Sequence, residues 1–246
     1  MNIVASVEAR MNSSRYPGKM IANINGKKTI ERVFERLKAS KYINKIILAT
    51  TVNSNDDILC SSIEKKDILV HRGSEDDVFL RVYEAHKKYK SDIIITICGD
   101  CPLIDAQMID KYLQMFIQNH YQILFFNKRH NYPQGTEFMI FSSGMFNYPY
   151  NKNIDKAQKE HVGLYFLENI KKYRFYEVRG SDLEKSYNNI RLQFDYKEDL
   201  ILIRKIFNHF YNLNNPTFNI HDIINFLNKN TELINLNSHC IEKEVR

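Results

Sequence analysis

The stretch ARMNSSRYPGK, residues 9 to 19, follows directly on the apolar run IVASV. It gathers Arg10, Arg15 and Lys19, the hydroxyls of Ser13 and Ser14, and Gly18, with Ala9 at its entry. A triphosphate held without its full hydration shell needs cationic donors, hydroxyls and backbone N–H groups that can come close. The loop supplies all of these, in neither the Walker spacing nor the G-x-G-x-x-G spacing. A second site candidate is GDCPLID, residues 99 to 105. Asp100 stands at the end of an apolar run in a glycine turn, where a carboxylate oxygen can bind a hard cation. Asp105 reads as the N-cap of the following helix. One carboxylate is a poor site for such a cation, and Asp195, which follows IRLQF and precedes a helical pattern, is the candidate partner. The same position suits an N-cap for a helix starting at Tyr196, with Asp199 facing solvent or supporting the turn.

The elements that must position these loops are legible from periodicity. IVASV, KIILAT, DILVH, DIIITIC and QILFF are short and rich in β-branched or aromatic residues. Between them, TIERVFERLKAS, NDDILCSSIEKK, EDDVFLRVYEAHKKYK and DAQMIDKYLQMFIQN repeat apolar residues at helical spacing. Alternation of this kind predicts parallel pairing through right-handed crossovers and a three-layer α/β sheet. Ligands of such sheets bind beyond the carboxyl ends of the strands, where both candidate loops fall. The alternation lapses after residue 127. KRHNYPQGTEFMIFSSG reads as a loop and strand, AQKEHVGLYFLENIKKY as one helix and RFYEVRG as a strand, and IRLQFDYKEDLILIRKIFNHFY returns to strand then helix. The chain is therefore read as a single domain, 1–246, with an excursion over 127–189 for acceptor contacts or an oligomer interface, rejoining the main sheet near residue 190.

Composition narrows the partners. The chain is 43% hydrophobic and 26% charged, the balance of an ordinary globular protein. No apolar run approaches the roughly 18 residues of a membrane span, and no basic, apolar signal pattern opens the chain, so the cytoplasm is the expected location. Four irregularly spaced cysteines argue against a disulfide framework, and C-x-x-C at Cys98 and Cys101 lacks a second ligand pair for zinc. The charge of +6 favours anionic partners. The basic residues are scattered without aromatic interleaving, which favours small phosphorylated ligands over nucleic acid.

The motifs together resemble a known family. R-M-N-S-S-R-Y-P-G-K is similar to the R-x-x-S-[ST]-R-[LF]-P-G-K signature of the cytidylyltransferases that activate acidic sugars, the 3-deoxy-manno-octulosonate and acylneuraminate enzymes. The match is nearest to their relatives in the spore coat polysaccharide biosynthesis protein F group. RGSEDDVFLR (72 to 81), GDCPLID and FDYKEDL (194 to 200) recur in that group in the same order. The resemblance implies a Rossmann-like nucleotide-diphospho-sugar transferase fold, α/β/α with a mostly parallel sheet and a small inserted dimerisation or acceptor region. It implies Mg²⁺ on Asp100 and Asp195, the latter in the context of V-D-x-x-E-D-L. Arg72, Ser74 and Arg81 become nucleotide-binding candidates beside the opening loop. Glu75, Asp76 and Asp77 are better suited to the dipole of the following helix.

For the acceptor, YPQGTEF (132 to 138) resembles Y-P-x-G-x-[DE] and KEHV (159 to 162) resembles R-E-H-V. Tyr132, Gly135, Glu137, Glu160 and His161 would line that pocket; packing of His161 near the core is the alternative. Two departures matter: Met139 stands where a further acid is expected, and Lys159 where an arginine is. A lysine cannot grip a carboxylate with the planar fork of arginine. The implied activity is Mg²⁺-dependent transfer of CMP from CTP to a sugar, sugar acid or small phosphorylated acceptor, with loss of pyrophosphate, in surface polysaccharide or glycan assembly by a homodimer. Lys19, Arg10, Asp100 and Asp195 would carry the catalysis. The competing reading is a GT-A type glycosyltransferase using a nucleotide sugar, but GDC holds only one acid of the D-x-D motif such enzymes require.

Overall fold

The computed structural model describes residues 1–63, 67–150, 152–180, 182–212 and 216–241. Its strands are β1 (Ile3–Glu8), β2 (Asn23–Ile24), β3 (Lys27–Lys28), β4 (Lys45–Thr51), β5 (Leu69–Gly73), β6 (Ile93–Cys98), β7 (Ile123–Phe126), β8 (Met139–Ser142) and β9 (Phe175–Val178). The helices are α1 (Thr29–Leu37), α2 (Asp57–Ser61), α3 (Val78–Lys88), α4 (Ala106–Gln118), α5 (Lys156–Glu160), α6 (Leu164–Glu168), α7 (Lys197–Asn212) and α8 (Ile220–Lys229).

Seven strands form one sheet in the order β5-β4-β1-β6-β8-β7-β9, and β2 and β3 make a small separate hairpin. Within the seven-stranded sheet, β8 alone runs antiparallel to its neighbours. Strand side chains alternate between two faces. Ile3, Ala5 and Val7 of β1 and Ile93, Ile95 and Ile97 of β6 pack with Ile30, Phe34, Ile109, Leu113, Ile203 and Phe207 of α1, α4 and α7. Val4 and Ile94 turn the other way, towards Ala85 and Val82 of α3. This apolar alternation buries both faces and makes the three layers expected.

Three expectations need correction. The excursion is not outside the sheet: β8 lies between β6 and β7, and β9 forms the edge. IRLQF is not a strand. Ile190, Leu192 and Phe194 are buried at alternate positions as strand residues would be, yet the backbone makes one bridge, Gln134 to Arg191, and then bonds to the Asp100 carbonyl. The single helix expected over 157–173 is broken, with extended backbone at His161 separating α5 from α6 and a 3-10 turn following. The helix read over 55–66 is described as α2, and its last three residues lie outside the described residues.

Two buried polar anchors hold the loops at the carboxyl ends. Asp105 caps α4 by accepting from the N–H groups of Gln107 and Met108, as expected, and its other oxygen accepts from Ile220 N at the start of α8. Arg36 of α1 donates to the carbonyls of Ile104 and Phe218. The GDCPLID loop is therefore tied to α1, α4 and α8 at its far end.

Candidate active site

β1 and β6 are neighbours in register, Glu8 opposite Cys98, so the opening loop and the Asp100 loop leave the sheet side by side. Gly99 keeps them close: a Cβ there would stand 2.9 Å from both the Ala9 Cβ and the Glu8 carbonyl oxygen, so a side chain would push the loops apart. Gly99 N donates to that carbonyl, and Phe194 N donates to the carbonyl of Asp100. The second bond sets Asp195 beside Asp100 although the two are far apart in sequence. Gly18 takes φ 75 and turns the chain into the 3-10 turn that begins at Lys19. The nearest atom to a Cβ there is 3.9 Å away, so the left-handed backbone rather than crowding calls for glycine.

Lys19 is the centre of the arrangement. Its Nζ donates to Asp100 Oδ2 at 2.6 Å and to Asp195 Oδ1 at 2.8 Å. Arg15 reaches the same Oδ1 at 2.7 Å, and Arg191 takes Asp195 Oδ2 at 2.7 Å. The Asp195 side chain is 1% exposed and that of Lys19 is 12% exposed, so these are charge pairs largely out of water. Burial opposes the ammonium of Lys19, but Asp100 and Asp195 together outweigh it and hold its pKa above the ordinary lysine value. Lys19 is thus a fixed cation.

Asp195 does not act as the N-cap of α7. Its own N–H, with that of Tyr196, donates to Asp199. Asp199 is fully buried rather than facing solvent, and it supports the turn while pairing with Arg191. Burial works against the Arg191 charge too, and Asp199 and Asp195 raise its pKa in spite of it. Arg15 Nη1 and Arg191 Nη1 are buried without a hydrogen-bond partner. Buried guanidinium nitrogens left open in this way are ready donors for anionic oxygens.

The donor set fits a hard divalent cation. Asp100 and Asp195 each turn an oxygen to one point, held by a monovalent ammonium, and oxygen-only sites of this charge suit Mg²⁺. Arg15, Lys19 and Arg10 from the same loop, with the open Arg15 nitrogen, fit the phosphates of a nucleotide.

Arg10 spans the mouth. Its Nη1 donates to the Glu75 carbonyl at 3.0 Å and its Nη2 meets Glu160 Oε1 at 2.7 Å, joining the loop before α3 to the end of α5. Ser13 accepts within its own turn from Tyr16 N, Ser14 is exposed and Ala9 is buried. The other nucleotide candidates are spent internally. Arg72 donates to the carbonyls of Thr51 and Asn53 and to Asp57. Ser74 Oγ accepts from Asp77 N, while Arg81, 1% exposed, donates to the Ser74 carbonyl. Asp77 caps α3, as the dipole argument expected, whereas Glu75 accepts from Asn12 and Asn53.

Of the acceptor candidates, Glu137 accepts from Gly135 N at 2.6 Å and pairs with His130 at 2.9 Å. Tyr132 is buried, and its hydroxyl donates to Asp182, so it braces this loop from within. Glu160 faces Arg10, and His161 is exposed rather than packed in the core. Sequence reasoning missed Arg191, Asp56 and Glu8. Asp56 is buried and accepts from Met11 N, which fixes the opening loop. Burial pushes the Glu8 carboxyl up to about 8, with Ser6 and Arg81 opposing the rise. A polar residue ending a buried strand was the available signal for Glu8; Asp56 and Arg191 carried none.

Residues 4–221 match the family model described as Cytidylyltransferase. An uncharacterized protein of Methanocaldococcus jannaschii is 31% identical, the match covering 100% of this chain and 98% of that protein. The spore coat polysaccharide biosynthesis protein SpsF of Bacillus subtilis is 25% identical over 94% of this chain and 96% of its own. Among solved structures, a cytidylyltransferase from Leptospira borgpetersenii serovar Hardjo-bovis superposes with a TM-score of 0.86 at 26% identity, covering 99% of this chain and 98% of that one.

Proposed function

The chain belongs to the cytidylyltransferase family, and on that premise we propose that it transfers CMP from CTP to a hydroxyl of a sugar-derived acceptor, in the assembly of surface polysaccharide or another glycan. The acceptor oxygen bonds to the α-phosphorus as the bond from that phosphorus to the bridging oxygen breaks, and pyrophosphate leaves. The observation that carries this reading is the Lys19 ammonium between Asp100 and Asp195, with Arg15 and Arg191 around them.

Little covalent work falls to the protein in such a transfer, so positioning and charge neutralisation dominate. Arg10, Arg15 and Lys19 hold the β- and γ-phosphates and stabilise the charge that develops on the leaving group. Asp100 and Asp195 would hold Mg²⁺, which would supply charge neutralisation at the α-phosphate and a lower pKa for the attacking hydroxyl. With nucleotide bound, Lys19 exchanges its carboxylates for phosphate oxygens, and Arg191 keeps Asp195 oriented through the oxygen that Lys19 does not use. Glu137, Glu160 and His161 face the acceptor, while Arg72, Ser74, Arg81 and Tyr132 shape the loops around nucleotide and acceptor. The 127–189 region pairs two copies, a dimer that light scattering would detect. No helix among the described residues is long and apolar enough to cross a membrane, and we place the reaction in the cytoplasm.

The test is a panel of CTP, UTP, GTP, ATP and dTTP with and without Mg²⁺, read by thermal shift, followed by pyrophosphate release across sugar-acid, amino-sugar and phosphorylated-alcohol acceptors. Selective, magnesium-enhanced stabilisation by CTP is the expected result. Preference for a nucleotide sugar would discard the reading.

A further inference from the structure

A second group of metal-ligating side chains lies outside the nucleotide site. Glu198, on the first turn of α7, meets His239 and Cys240 of the C-terminal turn: one ligand atom from each of the three stands within 4.8 Å of the others. Glu198 and Cys240 are half-buried and His239 is exposed. No side-chain hydrogen bond or ion pair among the described residues engages any of the three.

We propose that Glu198, His239 and Cys240 bind a thiophilic divalent cation, zinc being the type, which clamps the C-terminal turn to the start of α7. Thiolate, imidazole and carboxylate are the ligand types of zinc, and three protein ligands leave a fourth position for water. Around a tetrahedral zinc such atoms stand roughly 3.4–3.8 Å apart, so small side-chain rotations close the group.

The backbone is already held for this. Asn237 is buried and donates to the Arg191 carbonyl and to Asp199, Cys240 N donates to the Asn237 carbonyl, and Tyr196 Oη donates to the carbonyl of Ile241. These bonds fix the turn against α7 without using the three ligands, so little chain ordering opposes the ion. The ligand chemistry also separates two metals on one chain. The all-oxygen pair Asp100 and Asp195 suits Mg²⁺, and the mixed sulfur, nitrogen and oxygen set suits zinc. Glu198 lies three residues after Asp195, so the clamp would steady the turn that presents the catalytic carboxylate.

The test is titration of the metal-free full chain with Co²⁺, which adopts zinc-like geometry and gives an intense absorption band when bonded to thiolate. One saturable band per chain is expected, displaced by Zn²⁺ and unaffected by excess Mg²⁺. Cys240→Ser should abolish it, and His239→Ala and Glu198→Gln should each weaken Co²⁺ at least tenfold. Cys98→Ser and Cys101→Ser should leave it in place. Zn²⁺ should raise the melting temperature of the wild-type chain and not that of Cys240→Ser. No band, or a band that survives Cys240→Ser, overturns the proposal. So does a band indifferent to both His239 and Glu198, which would reduce the site to binding by a single thiol.

Discussion

Lys19→Met keeps the length and apolar stem of the side chain and removes the ammonium that joins Asp100 to Asp195. In the wild-type chain a divalent cation can reach those carboxylates only by breaking two charge-assisted hydrogen bonds, of 2.6 and 2.8 Å. A bond of that kind is worth about 1.5–3 kcal/mol net. Taking about 3 kcal/mol for the pair, and 1.4 kcal/mol per tenfold in affinity, the variant should bind Mg²⁺ or Mn²⁺ without nucleotide about 100-fold more tightly. Stability should move the other way. Asp100 would be left with no cationic partner among the described residues, while Asp195 keeps Arg15 and Arg191. Loss of one partner from a buried pair costs about 3–5 kcal/mol, and the 14% exposure of Asp100 moderates this to about 2–4 kcal/mol. Calorimetric titration of nucleotide-free protein with Mn²⁺, and melting in chelator against excess Mg²⁺, measure both effects. Metal affinity equal to or below wild type, with no recovery of melting temperature by Mg²⁺, would refute an ammonium that stands in for the metal.

Asp100→Asn should abolish turnover with little loss of stability, and full activity would remove Asp100 from the site. Asp195→Asn should also abolish turnover but lower stability by about 2–4 kcal/mol in urea melts, because Lys19, Arg15 and Arg191 lose a shared buried partner. Gly99→Ala should cost about 1–3 kcal/mol and a larger share of activity, since its Cβ meets Ala9 and the Glu8 carbonyl at 2.9 Å; unchanged kinetics would mean that the loops tolerate separation. Glu8 titrates near 8 in the fold against an ordinary 4.5, so the unfolded chain releases this proton first. Its contribution is whole below pH 4.5 and is lost as pH rises to about 8, at up to about 1.4 kcal/mol per pH unit. Glu8→Gln should flatten the pH dependence of stability in that window, and an unchanged slope would show that Glu8 is already ionised at neutral pH.

How much was legible follows from what each signal depends on. The alternation of β-branched runs with helical patterns names the α/β class because side-chain period is a local property of the chain. The opening loop, Asp100 and Asp195 stand out in sequence because their residue types are unusual after an apolar run, and the fold brings Lys19 to both carboxylates. IRLQF misled for the same local reason: Ile190, Leu192 and Phe194 bury with a strand's period, but a strand also needs a partner edge, and here the backbone bonds go to Gln134 and Asp100. Arg72 and Arg81 looked like free cations in sequence, and only the fold assigns their nitrogens to Thr51, Asn53 and Ser74.

The sequence by itself determined the layers, the order of strands and helices in the first half of the chain and the cationic composition of the opening loop. Tertiary structure decided the rest, because Lys19 meets carboxylates 81 and 176 residues away and no local pattern encodes a distance of that kind. The same holds for Arg191 against Asp195, for the burial that raises the Glu8 carboxyl, and for Glu198 beside His239 and Cys240. Each is a charge or ligand whose behaviour is set by neighbours that only the folded chain supplies.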